Sequence, residues 1–124
     1  TFPKPIIAAI QGPAVAGGMD LALMCDMRIA GAGATFGQPQ VKAGIPAAFD
    51  LVASVVAEPV AREICLTGRI IGATEALSIG LVNRLAEGDD LMEETLALAT
   101  EVASSPASAA AKAGFLAGQP DLFG

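Results

Sequence analysis

The fold is decided by residues 12–26, GPAVAGGMDLALMCD. A short apolar strand precedes this stretch, and a nearly all-apolar helix is predicted over residues 18–25, directly after the Gly17-Gly18 pair. The first backbone N–H groups of a helix have no partner within it, and they carry the positive end of the helix dipole. Asp20 lies in the first turn, so a carboxylate and free amides share one small volume. Such a place stabilises negative charge.

Gly17, Gly18 and Asp20 are the first candidates for chemistry. Glycine has no Cβ, so a ligand can approach its N–H closely, and an oxyanion can be held at the start of the helix. Packing against the buried helix explains the two glycines equally well. Asp20 is either a carboxylate stabilised by the dipole or a general acid or base beside the oxyanion. Asp26, at the other end of the helix, is predicted to accept hydrogen bonds from loop amides.

The composition is apolar for a free-standing domain. The 124 residues are 53% hydrophobic and 16% charged, with a mean hydropathy of +0.60. One domain of this length has a core, but we also expect a large face that other subunits or an absent piece of the same protein cover. The net charge of −6 argues against nucleic acid and anionic membranes as partners. No apolar run approaches the roughly 18 residues of a membrane span.

The sequence contains no histidine, which excludes histidine-based triads, metal sites and general bases. Carboxylates, amides, lysine and backbone groups remain for any chemistry. Cys25 and Cys65 are far apart and each lies in an apolar pattern. We expect both to be buried thiols in a reducing compartment, which predicts a cytoplasmic protein.

The remaining pattern predicts an α/β fold. Residues 5–10, PIIAAI, are apolar on both faces, which predicts a central strand of a layered structure. Gly68 is predicted to end a helix that has Pro59 in its first turn. Asp90, with Glu93 three residues later, predicts a capping box. Further strands are predicted at 27–30, 35–36 and 81–85, and helices at 47–56, 60–66, 73–79, from 90, and from 106 to about 117.

Three ordered motifs carry a resemblance to a known family. KPIIAAIQGPAVAGGMDLALMCDMRIA, ATFGQPQVKAGIP and LTGRIIGATEALSIGLVNRL resemble the enoyl-CoA hydratase/isomerase (crotonase) superfamily over residues 4 to about 112. The resemblance implies part of a crotonase-like spiral of ββα units in residues 1–86, followed by C-terminal helices in 87–124. It also implies a homo-oligomer, a trimer or hexamer, and an N-terminal half that would precede Thr1. That half would hold the second oxyanion amide and the contacts to the coenzyme A nucleotide.

The resemblance also assigns roles to residues. The N–H of Gly17 corresponds to an oxyanion donor to the thioester carbonyl. Asp20 and Gln40 stand where hydratases have two glutamates, so the acid/base residues are non-standard. Asp50 is a further candidate acid, and Val15 a possible lining residue of the acyl site. The residues expected to contact substrate are Gly17, Gly18, Ile45 and Phe49.

We therefore expect an acyl-CoA-handling enzyme, a lyase or isomerase that hydrates or isomerises an enoyl-CoA. Coenzyme A enters as part of the substrate, and no metal or redox cofactor is implied. Asp20 is one methylene shorter than glutamate, and Gln40 cannot take a proton, which makes efficient two-carboxylate hydration doubtful. The alternatives are a catalytically silent acyl-CoA-binding or assembly subunit, another crotonase-type reaction (thioester or C–C hydrolysis, or decarboxylation), and a structural fragment without a function of its own.

Overall fold

The strands of the described residues form two small sheets. A computed structural model describes residues 3–116. In the first sheet, β3 (Met27–Ala30) lies between β1 (Ile7–Ile10) and β6 (Arg84–Leu85), and both pairings are parallel. In the second, β4 (Thr35–Gly37) lies between β2 (Pro13–Val15), which is parallel to it, and β5 (Ile71–Gly72), which is antiparallel.

Within residues 3–116, six α-helices and one 3₁₀-helix connect and cover the sheets. The 3₁₀-helix begins with Pro39 after β4. The left-handed residue Gly68 (φ 69°) ends α3, which confirms the prediction for this glycine. Pro59 lies in the first turn of α3, where its missing N–H costs no helical hydrogen bond. The helices are α1 (Gly17–Leu23), the 3₁₀-helix (Pro39–Ala43), α2 (Phe49–Ala53), α3 (Glu58–Thr67), α4 (Ala73–Ser78), α5 (Leu91–Ala103) and α6 (Ser108–Leu116).

The core is divided by the first sheet. The larger cluster joins α1 to both sheets and to α2, α3 and α4, with Met19, Phe36 and Ile64 fully buried. A smaller cluster on the other side packs α5 against Ile29 of β3, through Leu91 and Leu98. Successive residues of a strand face opposite sides, so β3 contributes Ile29 to one cluster and Ala30 to the other. Both faces of β3 are therefore covered.

The prediction of a central strand at 5–10 is wrong for the described residues. β1 pairs with one strand only, at the edge of its sheet, and Ala9 is exposed. The central strand is β3. Its sequence includes the charged residue Arg28, so the sequence pattern did not indicate that this strand is buried on both faces. The helix over 18–25 begins one residue earlier and is not buried all round, because Leu21 is 66% exposed.

Other predicted elements are shorter or differ in their ends. The strand at 81–85 pairs only at Arg84 and Leu85, because the two residues before Asn83 are buried in the core instead of following the sheet. The helix at 47–56 is reduced to α2. Asp90 makes no side-chain capping bond, and it is Glu94 that accepts a hydrogen bond, from the Glu87 N–H (3.2 Å). The strand β5 was not predicted. Residue 117, the predicted end of the last helix, lies outside the described residues.

A buried ion pair fixes the last helix to the start of the chain. Lys112 Nζ of α6 lies 2.8 Å from Asp26 Oδ2 and donates to the carbonyl oxygen of Lys4 (2.7 Å). Asp26 Oδ2 also accepts the Ile6 N–H (2.7 Å), which confirms that Asp26 is an acceptor for backbone amides. The chain around β1 and the C-terminal helix thus share one carboxylate. Between residues 3 and 116, no helix combines the length and the apolar character that crossing a membrane requires.

Candidate functional site

The candidate site lies where β2 turns into α1. Ala16, the residue between them, has φ 51° and ψ −123°, and it is the one non-glycine residue with positive φ in the described part of the chain. Its N–H donates to the carbonyl oxygen of Gly37 at the end of β4 (2.9 Å). A non-glycine residue in such a backbone conformation costs about 1–3 kcal/mol, and this strain is concentrated at functional sites. The strained residue thus joins β2 to α1, and the two glycines that follow it are exposed.

The first two amides of α1 are free. The first N–H that reaches back to Ala16 is that of Asp20 (3.0 Å). No atom of residues 3–116 accepts a hydrogen bond from the N–H of Gly17 or Gly18. Both glycines are exposed, and a Cβ built on either would meet nothing within 4 Å. Packing within the described residues thus does not explain why glycine stands at these two positions.

Asp20 is connected to Gln40 through a third side chain. Gln38 Nε2 donates to Asp20 Oδ1 (3.0 Å), and Gln40 Nε2 donates to Gln38 Oε1 (2.7 Å). Asp20 and Gln40 are half-buried and Gln38 is fully buried. One side chain from α1, one from the residue after β4 and one from the 3₁₀-helix therefore form a hydrogen-bonded row, which we call the Asp20–Gln38–Gln40 row.

The sequence pattern did not predict Gln38 as a site residue. It is the third residue of the FGQP turn, where a glutamine reads as an ordinary turn residue. A buried amide needs hydrogen-bond partners, and its partners here are 18 residues before and 2 residues after it. Only the parallel pairing of β2 with β4 brings the first of them close.

The two predicted acyl-site residues line a groove. Ile45 and Phe49 border a cavity of about 680 Å³, together with Arg62, Cys65 and Leu66 among others. Most of these side chains are apolar, and Ile45 is 58% exposed. Val15, the other residue considered for this site, lies half-buried in β2. The groove therefore offers an apolar surface on the α2 and α3 side of the molecule.

Cys65 is one of the residues that line the groove. Burial raises the pKa of the Cys65 thiol, and the nearby negative charge of Asp20 raises it further. Asp50, the other candidate acid, is exposed in the first turn of α2, and its carboxylate has no hydrogen-bond partner in residues 3–116. The structure thus brings Asp20 and Gln40 together, and Ile45 and Phe49 together, while Asp50 belongs to neither group of contacts.

The opposite end of α1 is held by Arg28. Its guanidinium is buried and donates to the carbonyl oxygens of Leu81 (2.7 Å), Ala22 (3.2 Å) and Cys25 (2.9 Å). Burial lowers the pKa of Arg28. Two of the three acceptors lie at the C-terminal end of α1, where a helix dipole favours positive charge. Arg28 therefore ties that end of the helix to the segment before β6.

The cysteines are both free thiols, but only Cys65 is buried. The expectation of two buried thiols is wrong for Cys25, which is half-buried. This residue follows α1 at the surface, where its thiol donates to the carbonyl oxygen of Leu21 (3.6 Å). Burial still raises its pKa.

A second cavity, of about 420 Å³, lies between the start of the chain and α5 and contains none of the predicted site residues. No cluster of three potential metal ligands occurs in the described chain.

Comparison with known proteins matches this architecture. The family model described as enoyl-CoA hydratase/isomerase matches residues 1–117. A Thermus thermophilus protein classed with the enoyl-CoA hydratases is 48% identical over 107 residues, which are 85% of this chain and 42% of that protein. The short-chain-enoyl-CoA hydratase of Clostridium acetobutylicum is 40% identical over 105 residues, 82% of this chain and 40% of that protein.

Solved structures give the same result. The crystal structure of an enoyl-CoA hydratase from Mycobacterium smegmatis has a TM-score of 0.88 at 30% identity, covering 97% of this chain and 49% of that one. Human enoyl Coenzyme A hydratase domain-containing protein 3 has a TM-score of 0.87 at 34% identity, with coverage of 97% and 49%. The chain thus spans about two-fifths of these curated relatives and half of the solved chains. The predicted crotonase-like α/β fold, as a partial chain, is confirmed, and the chain belongs to the enoyl-CoA hydratase/isomerase family.

Proposed function

We propose that this chain carries the proton-transfer part of an enzyme that hydrates or isomerises an enoyl-CoA. The observation that carries the proposal is the start of α1, where two N–H groups without an acceptor among residues 3–116 precede Asp20 on the same helix. Open space lies in front of both glycines. A negatively charged oxygen is stabilised there by hydrogen bonds and by the helix dipole. The family membership supports a thioester carbonyl as the group that supplies this oxygen.

The chemistry follows from these groups. The Gly17 N–H donates to the thioester oxygen and stabilises the enolate that forms when a C–H proton leaves. Asp20 takes that proton and returns it to the carbon chain. Each general acid or base of this kind contributes about 10²–10⁴-fold to a rate. Gln40 orients its neighbours by hydrogen bonding but transfers no proton, because an amide is neither acid nor base at neutral pH.

The single carboxylate of the Asp20–Gln38–Gln40 row favours isomerisation over hydration. Shifting a double bond requires one group that removes a proton at one carbon and returns it at another. Adding water requires a proton donor and an activated water molecule together, and the hydratases that this chain resembles use two glutamates. The relatives' names favour hydration, so both reactions belong to the test.

The groove at Ile45 and Phe49 is proposed to hold the acyl chain. Its apolar lining suits a hydrocarbon. Gly17 and Gly18 would contact the thioester end. Coenzyme A enters as part of the substrate, and the proposed steps need no metal or redox cofactor. Two free cysteines agree with a cytoplasmic location.

A homo-oligomer, trimeric or hexameric, is proposed as the assembly. Several large apolar side chains are exposed in the described chain, including Leu21 at 66%, Leu66 at 79% and Ile70 at 48%. Such a surface is stabilised when other subunits or other parts of the protein cover it.

Asp20→Asn tests the proposal, with Asp50→Asn as the matched control. Both aspartates lie in the first turn of a short helix, so each variant removes one negative charge from a similar position. The protein in its full natural length is incubated with crotonoyl-CoA, to follow hydration by the loss of conjugated-thioester absorbance, and with a 3-enoyl-CoA, to follow isomerisation by its gain. Asp20→Asn is expected to lower turnover about 10²–10⁴-fold, while thioester binding and the Asp50→Asn variant stay nearly unchanged.

Two outcomes would contradict the proposal. An equal loss of turnover in Asp50→Asn would show that Asp50 is the acid/base residue or that the two aspartates share this role. Binding without turnover of either thioester by the natural protein would favour the alternative of a catalytically silent acyl-CoA-binding subunit.

A further inference from the structure

The groove at Ile45 and Phe49 has a single charged residue in its lining. Every described residue that borders it is uncharged except Arg62 of α3. Arg62, Cys65 and Leu66 are three and four positions apart, so they lie on one face of that helix. Arg62 is the one nearest the N-terminal end of α3. The α3 wall of the groove is therefore apolar at one end and cationic at the other.

The guanidinium of Arg62 has hydrogen-bond donors that the described chain does not use. A guanidinium carries five N–H donors. Arg62 Nη2 lies 3.4 Å from Glu58 Oε1, which is longer than the usual N–H···O distance of about 2.7–3.2 Å. No atom of residues 3–116 accepts a hydrogen bond from this guanidinium. A second carboxylate can therefore bind to Arg62 while Glu58 stays in place.

The other arginines differ from Arg62 in their contacts or in their position. The Arg28 guanidinium donates to three carbonyl oxygens, and that of Arg69 donates to two glutamates. Arg84 has no hydrogen-bond acceptor among the described residues either, but it lies in β6 and does not border the groove. Arg62 thus combines unused donors with a place in the groove.

The charge of the groove favours an anion at the Arg62 end. Lys42 follows Val41 and Asp50 follows Phe49, but both charged residues are exposed and neither lines the groove. A chain with a net charge of −6 repels anions unless a local group attracts them. A planar guanidinium binds a carboxylate through two parallel hydrogen bonds. A hydrocarbon chain that ends in a carboxylate therefore matches both the apolar wall and the charge.

We propose that the groove selects acyl chains that end in a carboxylate, and that Arg62 is the specificity-determining residue that binds this carboxylate. The inference rests on the proposed function, which places the acyl chain in the groove and the thioester at Gly17. The methylene groups of the chain pack on Ile45 and Phe49. The substrate class is then the coenzyme A monothioesters of unsaturated dicarboxylic acids. Arg62 takes no part in proton transfer, and it acts through binding.

The test measures binding in the full-length protein with saturated thioesters, which contain no double bond to hydrate or shift. The probes are the coenzyme A monothioesters of butanedioic, hexanedioic and octanedioic acid. Each is compared with its terminal amide, which has the same size and no charge. Calorimetric titration gives the ratio of the two dissociation constants. At one chain length or more, the acid should bind about fivefold more tightly than the amide, the size expected of an ion pair in a groove open to solvent.

Four variants assign this preference to Arg62. Arg62→Met should remove the preference for the acid, and Arg62→Lys should keep part of it, because an ammonium attracts a carboxylate without the paired hydrogen bonds. Glu58→Gln should increase the preference, since it removes the carboxylate that competes for Arg62. Arg84→Met is the matched control, which removes the same charge outside the groove and should leave the preference unchanged. Added salt should weaken it, because salt screens exposed charges.

Three results would overturn the proposal. They are equal binding of acid and amide at all three chain lengths, a preference that survives Arg62→Met, and an equal loss of affinity for acid and amide in that variant. The last result would mean that Arg62 binds the phosphates of coenzyme A.

Turnover of 2-hexenoyl-CoA and 2-hexenedioyl-CoA separates this inference from the proposed function. If the acid is preferred in binding but neither compound is converted, the proposed function fails and the carboxylate site stands. If both are converted with equal kcat/KM and no binding preference exists, the proposed function stands and the carboxylate site fails. Because Glu58→Gln leaves Arg62 in place, its effect also decides the question if Arg62→Met does not fold.

Discussion

The two ends of α1 differ in their hydrogen bonding, although the helix is only seven residues long. At the N-terminal end, the Gly17 and Gly18 N–H groups have no acceptor in the described chain, and the residue before them is strained. At the C-terminal end, the Arg28 guanidinium donates to two carbonyl oxygens and fastens the helix to the segment before β6. The amides at one end have no acceptor among the described residues, whereas carbonyl oxygens at the other end are paired with a buried guanidinium.

This difference teaches how so short a helix can serve as part of a site. An isolated helix of this length is not stable in water, so α1 depends on its tertiary contacts. Arg28 and the buried Met19 and Leu23 supply these contacts. Because the anchoring lies elsewhere, the first turn can leave its amides free for a ligand.

Breaking the anchored end should have the largest effect on stability. Arg28→Met keeps part of the side-chain volume and removes all three hydrogen bonds to carbonyl oxygens. Hydrogen bonds to charged groups contribute about 1.5–3 kcal/mol each, and lost partners leave carbonyls unpaired, so we expect the free energy of unfolding to fall by at least about 3 kcal/mol. Urea denaturation measures the change.

Arg62→Met is the control for this substitution. Arg62 is 63% exposed and lies 3.4 Å from Glu58, so its loss should change stability by less than about 1 kcal/mol. Comparable losses in the two variants would show that the Arg28 contacts do not anchor α1.

Adding a methyl group at the open end should separate stability from function. Gly17→Ala meets no atom within 4 Å in the described chain and favours the helix, so the protein should become about 0.5–1 kcal/mol more stable. The same methyl group occupies the space proposed for the thioester. Binding of crotonoyl-CoA should weaken about tenfold, which equals about 1.4 kcal/mol. Calorimetric titration and thermal unfolding measure the two effects.

Gly114→Ala provides the comparison. Gly114 lies in α6, and a Cβ there also meets nothing within 4 Å. It should give a similar gain in stability with unchanged binding. If Gly17→Ala also leaves binding unchanged, no ligand approaches the start of α1.

The open end could be predicted from the sequence, because its signals are local. A glycine pair before an apolar run, with an aspartate three residues after the first glycine, marks a helix start with free amides. The family resemblance assigned Gln40 to the same site. Gln38 could not be found in this way, since its role depends on burial and on the pairing of β2 with β4, which periodicity does not reveal.

The anchored end was not predicted at all. Arg28 reads as the polar residue of an alternating strand, but in the structure it lies in the central strand. Its guanidinium donates to three carbonyl oxygens, and one of them, that of Leu81, is 53 residues away in sequence. The prediction of a central strand at residues 5–10 was wrong for a related reason. An apolar composition indicates that a strand is buried, but it does not show which elements pack against the strand. Local signals such as Pro59 and Gly68 predicted α3 well, because they act through the backbone alone.

The strain at Ala16 gives the smallest and most specific prediction about the open end. Ala16 and Ala48 are both alanines at the N-cap of a helix, with φ 51° and φ −78° respectively, and neither forms a side-chain cap. Replacing alanine by glycine has two general effects: glycine is preferred over alanine at N-caps, and it raises the entropy of the unfolded chain. Both effects are expected at both positions. The difference between Ala16→Gly and Ala48→Gly in urea denaturation therefore isolates the cost of the positive φ. We expect Ala16→Gly to be the more stabilising by about 1 kcal/mol. An equal effect at both positions would mean that Ala16 stores no strain, and that the start of α1 is open only because no described residue covers it.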